Sequence, residues 1–345
     1  MSPPPIADSA VQVVTERAAR PDATEPLLAV RNLRVEFPTA LGDSRVVLRD
    51  ISFSLLPGEI VGVVGESGAG KTTLARSLLG LPPVPGRITA GEVLFRGTDL
   101  RTLSERDLRS MRGKDLSMVV PNPRGELNPL LTVGEQIAAI AQVHLGISRK
   151  EARGRALDML KAVQIPDPHM RFDAYPHQLS GGMAQRVVIA MALVCSPSFV
   201  ISDDATSGLD VTVQSQILDL IRALAEKQRS AMLFITRDVG ITAHFCDRVA
   251  VIYAGQIMEV APRHAFFFEP SHPYTIMLLA AFSHSPELRH RWTVPDVKRR
   301  TLEGAAGCSY ADRCPLAQER CRTVEPPLAQ LGPGHFSKCH FPVVR

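Results

Sequence analysis

"EIVGVVGESGAGKTT", residues 59–73, decides what kind of fold this chain adopts. The apolar run up to Val64 reads as a buried strand, and "KTTLARSLLGL" carries apolar residues at helical spacing. Between them, Gly65, Glu66, Ser67, Gly68, Ala69, Gly70, Lys71, Thr72 and Thr73 fit the pattern G-x-x-x-x-G-K-[ST]. Glycines at these positions let backbone N–H groups converge on phosphate oxygens, and the helix that follows adds the positive end of its dipole. Lys71 is expected to reach the β- and γ-phosphates, and the Thr72 hydroxyl to ligate Mg²⁺. A glycine-rich turn without function would not need the strand before it and the helix after it.

Outward from this loop, strand and helix alternate. "LLAVRNLRVEF", "VVLRDISFSLLPGEIVGVVG", "GRITAGEVLFRGTDL" and "KDLSMVV" have strand character, with Gly and Pro at the turns. Residues from about 121 to 185 are helical and loop-rich, after which "FVIS", "AMLFIT" and "RVAVIYAGQIME" return as strands around the helix "VQSQILDLIRALAEKQ". The alternation predicts an α/β fold, a parallel sheet covered by helices. Residues 1–26, rich in Pro and Ala and without an apolar signal region, read as a disordered tail.

The chain has 345 residues, 45% hydrophobic and 21% charged, as expected of a soluble globular protein with a substantial core. A net charge of +4 and 5% aromatic residues argue against nucleic acid as a partner. No run approaches the roughly 20 apolar residues needed to cross a bilayer, so any membrane role is expected to come through partners.

A second motif places the phosphate loop in a family. "LSGGMAQR", Leu179 to Arg186, precedes "FVISDDATSGLD", residues 199–210, and the pair resembles the signature and acidic strand of ABC ATPases. Residues 27–261 are similar to an ABC nucleotide-binding domain, a P-loop NTPase fold whose helical subdomain would span about 121–185. "LNPLLTVGEQI", "YAGQIMEV", "HPYT" and the terminal cysteines resemble the dipeptide/oligopeptide permease branch, with residues 262–345 as its C-terminal extension. The resemblance implies a head-to-tail dimer with two ATPs between subunits, each lying on one phosphate loop and closed over by the other subunit's Ser180, Gly181 and Gly182. It also implies Asp203 beside Mg²⁺, Asp210 in a loop coupling the two sites, and Phe37 stacked on adenine. Phe37 reads equally as a core strand residue, and Asp210 as the N-cap of the next helix.

Three catalytic positions depart from the family. The glutamate expected to polarise water is Asp204, the expected glutamine is Pro121, and the expected histidine is Arg237. Aspartate withdraws its carboxylate by about 1.5 Å, one C–C bond. Misplacement on that scale costs on the order of 10²-fold where a water must be held in line. Arg237 has no acceptor, and Pro121 has neither a side-chain amide nor a backbone N–H. The chain is therefore expected to bind ATP yet hydrolyse it poorly, its signature completing a competent site on a different ATPase subunit. Gly208 in place of the family's alanine adds the possibility of looser coupling between sites. The resemblance further implies two transmembrane permease subunits, an extracytoplasmic substrate-binding protein, and a position on the cytoplasmic face of the membrane. Alternatives left open are a fully active ATPase of a nickel, haem or other solute importer, and a soluble ABC protein without a transport role.

Cys195 and Cys246, in apolar surroundings, read as core residues. Cys308, Cys314, Cys321 and Cys339 follow at intervals of five, six and seventeen residues, a clustering that argues for metal rather than disulfides. The spacing is wider than that typical of structural zinc. The permease branch implies a [4Fe–4S] cluster held by the four thiolates, with zinc, or a tail that holds no metal, as the alternatives.

Overall fold

The structure is a computed structural model, and it describes residues 25–40, 42–206, 210–282 and 306–343. The tail expected over 1–26 lies outside the described residues up to residue 24, as does Gly208. The chain forms two compact units, one of Met1–Ser54, Ile60–Asp99 and Ile235–Arg345, the other of Leu55–Glu59 and Leu100–Phe234.

The first unit holds the phosphate loop. Its strand Ile60–Val64 is buried at every residue, the pattern of a strand covered on both faces. It runs parallel to Arg248–Tyr253, with Val61 opposite Arg248 and Val64 opposite Val251. Arg248–Tyr253 turns back at Ala254 and Gly255, both with positive φ (45° and 76°), into the antiparallel strand Gln256–Pro262. Two such residues between paired strands make the tight hairpin whose twist matches that of the strands. The hairpin tip is tied to the phosphate loop, since the Gly255 N–H donates to the Ala69 carbonyl at 2.9 Å.

The C-terminal segment joins the same sheet. His335–Ser337 pairs antiparallel with Gln256–Pro262, and Ala329–Gly332 pairs with His335–Ser337. Glu325 fastens this segment, accepting from Arg49 at 3.0 Å, Gln256 at 2.7 Å and Lys338 at 2.7 Å. A separate sheet of four strands runs Ser44–Leu55, Leu28–Pro38, Arg87–Phe95, Thr98–Asp99. Its pairings Leu28–Pro38 with Arg87–Phe95 and Arg87–Phe95 with Thr98–Asp99 are antiparallel. The parallel pair Ile60–Val64 with Arg248–Tyr253 fits the expected α/β fold, and antiparallel strands are added to it.

The second unit is mainly helical. Strand Leu116–Val119 lies parallel to the fully buried Phe199–Asp203, Val119 facing Ser202, and Ala231–Ile235 follows on the other side. Two helices, Val133–Leu145 and Arg149–Ala162, begin with reciprocal capping boxes, Thr132 with Glu135 and Ser148 with Glu151. Each box satisfies donors the helix start would leave unpaired. Helix Gly181–Leu193 buries Val187, Ile189, Ala190 and Leu193 and is apolar on most sides, as an internal helix should be. Among the described residues no helix is long and apolar enough to cross a membrane.

Candidate functional site

In the first unit the phosphate loop is shaped by its contacts. A side chain at Gly65 would put Cβ within 2.2 Å of the Ile252 carbonyl oxygen, so the loop's first position tolerates only hydrogen there. Helix Lys71–Leu78 starts directly after Gly70, whose φ of 102° has no low-energy counterpart for other residues. Lys71 is 9% exposed, and its ammonium donates to the carbonyls of Gly65 (2.7 Å) and Glu66 (2.9 Å). Its position over the loop suits an anion bound within it. Ser67, Gly68 and Thr72 are exposed, so the rim of the cradle is open. Phe37 is half-buried, with its ring against Gly86; a Cβ at Gly86 would stand 2.7 Å from the ring. The ring is thus part core contact and part open face. Arg237 is exposed and precedes Asp238, which caps helix Val239–Phe245 by accepting from Gly240 at 2.8 Å.

The second unit holds the signature and the acids. Ser180 is the N-cap of helix Gly181–Leu193, its hydroxyl accepting from the Met183 N–H at 3.3 Å. A Cβ at Gly181 would meet nothing within 4 Å, so space is open beside the first residue of the helix. Asp203, 3% exposed, ends the buried strand. Asp204 follows at φ 49°, a left-handed turn that separates its direction from that of the strand. Asp210 caps helix Val211–Gln228, accepting from Val213 at 2.9 Å, so the N-cap reading of this residue holds. Pro121 is exposed, two residues beyond strand Leu116–Val119.

The four terminal cysteines line one cavity together with His272 and Tyr310. All six cysteines of the chain are free thiols, and Cys195 and Cys246 are buried as expected. Burial pushes the thiols of Cys314 and Cys339 up to about 11, and the neighbouring cysteines push in the same direction. Burial also raises Cys308. Among the described residues no group of three or more His, Cys, Asp or Glu side chains could hold a metal ion. The residues expected as ligands, Cys308, Cys314, Cys321 and Cys339, share one cavity. Four thiols are the donor set that an iron–sulfur cluster takes.

Buried beside this cavity, Glu259 accepts from the backbone N–H of Ser271 (2.8 Å) and His272 (2.9 Å) and bonds the His335 ring at 2.8 Å. Burial pushes its carboxyl up, but bonds from His335, Thr275, Ser271 and His272 outweigh this and hold it below the usual range. His272 accepts from the Tyr274 N–H at 3.0 Å, and burial pulls its imidazole down to about 4.

Sequence reasoning missed two residues that touch the loop, Tyr274 and Arg313. The Glu66 N–H donates to the Tyr274 hydroxyl at 3.0 Å, and Arg313 pairs with the Glu66 carboxylate at 3.1 Å. "HPYT" flagged Tyr274's neighbourhood, but nothing around Arg313 signals its partner.

Residues 48–207 match the family described as ABC transporter, and residues 258–321 the family described as Oligopeptide/dipeptide transporter, C-terminal region. Among curated proteins, the dipeptide transport ATP-binding protein DppD of Escherichia coli is 43% identical over 92% of this chain and 97% of its own length. The oligopeptide transport ATP-binding protein OppD of Salmonella typhimurium is 42% identical over 94% and 96%. Among solved structures, the ATP-binding cassette MJ0796, a dimer in a post-hydrolysis state bound to ADP and Pi, superposes with a TM-score of 0.61. It is 25% identical, covering 68% of this chain and 98% of that one.

Proposed function

Because the chain belongs to the ABC transporter family, we propose that it is the ATP-binding subunit of an importer for dipeptides or oligopeptides. The reaction assigned to the complex is hydrolysis of ATP to ADP and phosphate. The names of the DppD and OppD relatives support the cargo class, and their coverage along nearly the whole chain supports carrying it over. In this reading the phosphate loop holds the triphosphate, with Lys71 on the β- and γ-phosphates and Thr72 and Asp203 holding Mg²⁺. The ion, when bound, neutralises charge developing on the transferred phosphoryl. Ser180, Gly181 and Gly182 present a helix N-terminus to the nucleotide of a second, different ATPase subunit. Two permease subunits and an extracytoplasmic binding protein complete the assembly, with this chain peripheral on the cytoplasmic face.

The observation that carries the finer part is the mismatch between an intact phosphate loop and the residues Asp204, Arg237 and Pro121. A loop that grips without groups to hold a lytic water supports a site of slow hydrolysis. Purification of the chain from membranes tests the whole reading. Two integral membrane proteins, a second ATPase and turnover stimulated by dipeptides are expected. A chain recovered alone, or turnover stimulated by nickel or haem instead, overturns it.

The four cysteines are assigned to an iron–sulfur cluster that staples the extension, a reading supported by their facing one cavity. Iron and sulfide analysis of anaerobically prepared protein tests it, and one zinc per chain without sulfide overturns it.

A further inference from the structure

Glu66, the second residue of the phosphate loop, is held at three points of its own structure by residues that differ in origin. Its carbonyl accepts from Lys71 within the loop at 2.9 Å. Its N–H donates to the Tyr274 hydroxyl at 3.0 Å, and both its carboxylate oxygens accept from one Arg313 nitrogen at 3.1 Å. The same nitrogen donates to the Tyr253 hydroxyl at 3.4 Å. The pair is shielded, with side chains only 16% exposed for Arg313 and 23% for Glu66.

A carboxylate inside a loop built to receive a polyanion is an electrostatic liability. At short range like charges cost far more in a shielded site than in open water. Arg313 cancels that charge, and Tyr274 fixes the peptide whose carbonyl holds Lys71. Both come from the C-terminal segment. Arg313 precedes Cys314, and the Tyr310 ring packs 5.2 Å from both Tyr253 and Tyr274 while lining the cysteine cavity.

We infer that Arg313 and Tyr274 are positioning residues of the phosphate loop, through which the C-terminal segment sets nucleotide affinity by neutralising Glu66 and fixing its peptide. The inference rests on reading the loop as an ATP site. Its distinguishing feature is that the arginine is required only while Glu66 is charged.

The test is equilibrium binding of Mg–ATP to the full-length chain carrying Arg313→Ala, Glu66→Gln, or both, with Tyr274→Phe as the gentler variant. Arg313→Ala is expected to weaken binding about tenfold and Tyr274→Phe about threefold, in line with losing a shielded charge partner and a single hydrogen bond. Glu66→Gln supplies an uncharged background, in which adding Arg313→Ala should weaken binding by no more than about threefold. Added salt should narrow the gap between Arg313→Ala and the unaltered chain. If Arg313→Ala weakens binding as much in the Glu66→Gln background as in the unaltered chain, the arginine is a scaffold residue and the inference is overturned, even if Arg313→Ala also melts earlier. Equal binding by the unaltered chain, Arg313→Ala and Tyr274→Phe overturns it too, while leaving the ATP site intact. An unaltered chain that does not bind Mg–ATP overturns both.

Discussion

The phosphate loop and the end of strand Phe199–Asp203, both assigned to nucleotide chemistry in the proposed function, are built differently. The loop is tethered from several directions, by Gly255 at Ala69, by Tyr274 and Arg313 at Glu66, and by Lys71 across its own carbonyls. Its work is done by backbone groups, whose placement follows from glycine φ values and close packing. At the strand end the work falls to side chains. Asp203 is deeply buried, and Asp204 projects from a left-handed turn with a carboxylate one carbon shorter than the family's glutamate. Gripping a triphosphate tolerates side-chain change as long as the backbone is held. Splitting it does not, because the reach of one side chain sets the position of the water.

The largest expected effect separates the two regions in the proposed heterodimer. Ser180→Ala should lower ATP turnover about 10²-fold, the loss typical of removing one donor from a charge-stabilising site. Loss of its N-cap costs only about 1 kcal/mol of stability, too little to explain such a drop. Lys71→Ala should abolish nucleotide retention on this chain's own loop while turnover stays within about tenfold. Turnover abolished by Lys71→Ala and untouched by Ser180→Ala would break the comparison.

Acid should act on the scaffold of the first region. His272 has a folded pKa of about 4, below its ordinary 6.5. The unfolded chain therefore binds this proton first, and stability that is complete above pH 6.5 is lost as pH falls from there towards 4. A shift of that size corresponds to about 3 kcal/mol. Glu259, held below its ordinary value, adds a loss of the same sign at lower pH, beginning near 4.5 and continuing below it. Melting temperature should fall steadily between pH 7 and 5, and His272→Gln should flatten that slope. A slope unchanged by the substitution would remove His272 from the account.

Asp204→Glu sharpens the contrast from the other side. Restoring the methylene should raise turnover by the isolated chain about tenfold, less than the full 10²-fold because Arg237 and Pro121 still depart. No increase would mean that reach at position 204 is not limiting. Brisk turnover by the unaltered chain would dissolve the distinction between gripping and splitting altogether.

Much of the first region was legible in the sequence for a physical reason. The glycines at 65 and 70 report backbone constraints directly, and the apolar run before them can only be a covered strand. Strand and helix positions around them followed from periodicity. The sense of strand pairing did not, because Leu28–Pro38 finds its partner Arg87–Phe95 across the whole phosphate loop and its helix. Arg313 was equally illegible, lying 247 positions from Glu66 with no periodic neighbour to mark its direction. The cysteines were legible as a cluster, but spacing did not show that His272 and Tyr310 line the same cavity.

The smallest effect concerns Asp210, which sequence reading assigned two roles. As the N-cap of helix Val211–Gln228 it satisfies the Val213 N–H at 2.9 Å, and Asp210→Ala should cost about 1 kcal/mol of stability. Asp210→Asn keeps a capping oxygen, so the melting temperature of this variant should match that of the unaltered chain. If capping is all that Asp210 does, Asn also preserves turnover in the heterodimer. Turnover that falls in the Asn variant at unchanged melting temperature assigns the lost charge to coupling between the two nucleotide sites. The helix would then be held by geometry, and the chemistry by charge, at one and the same residue.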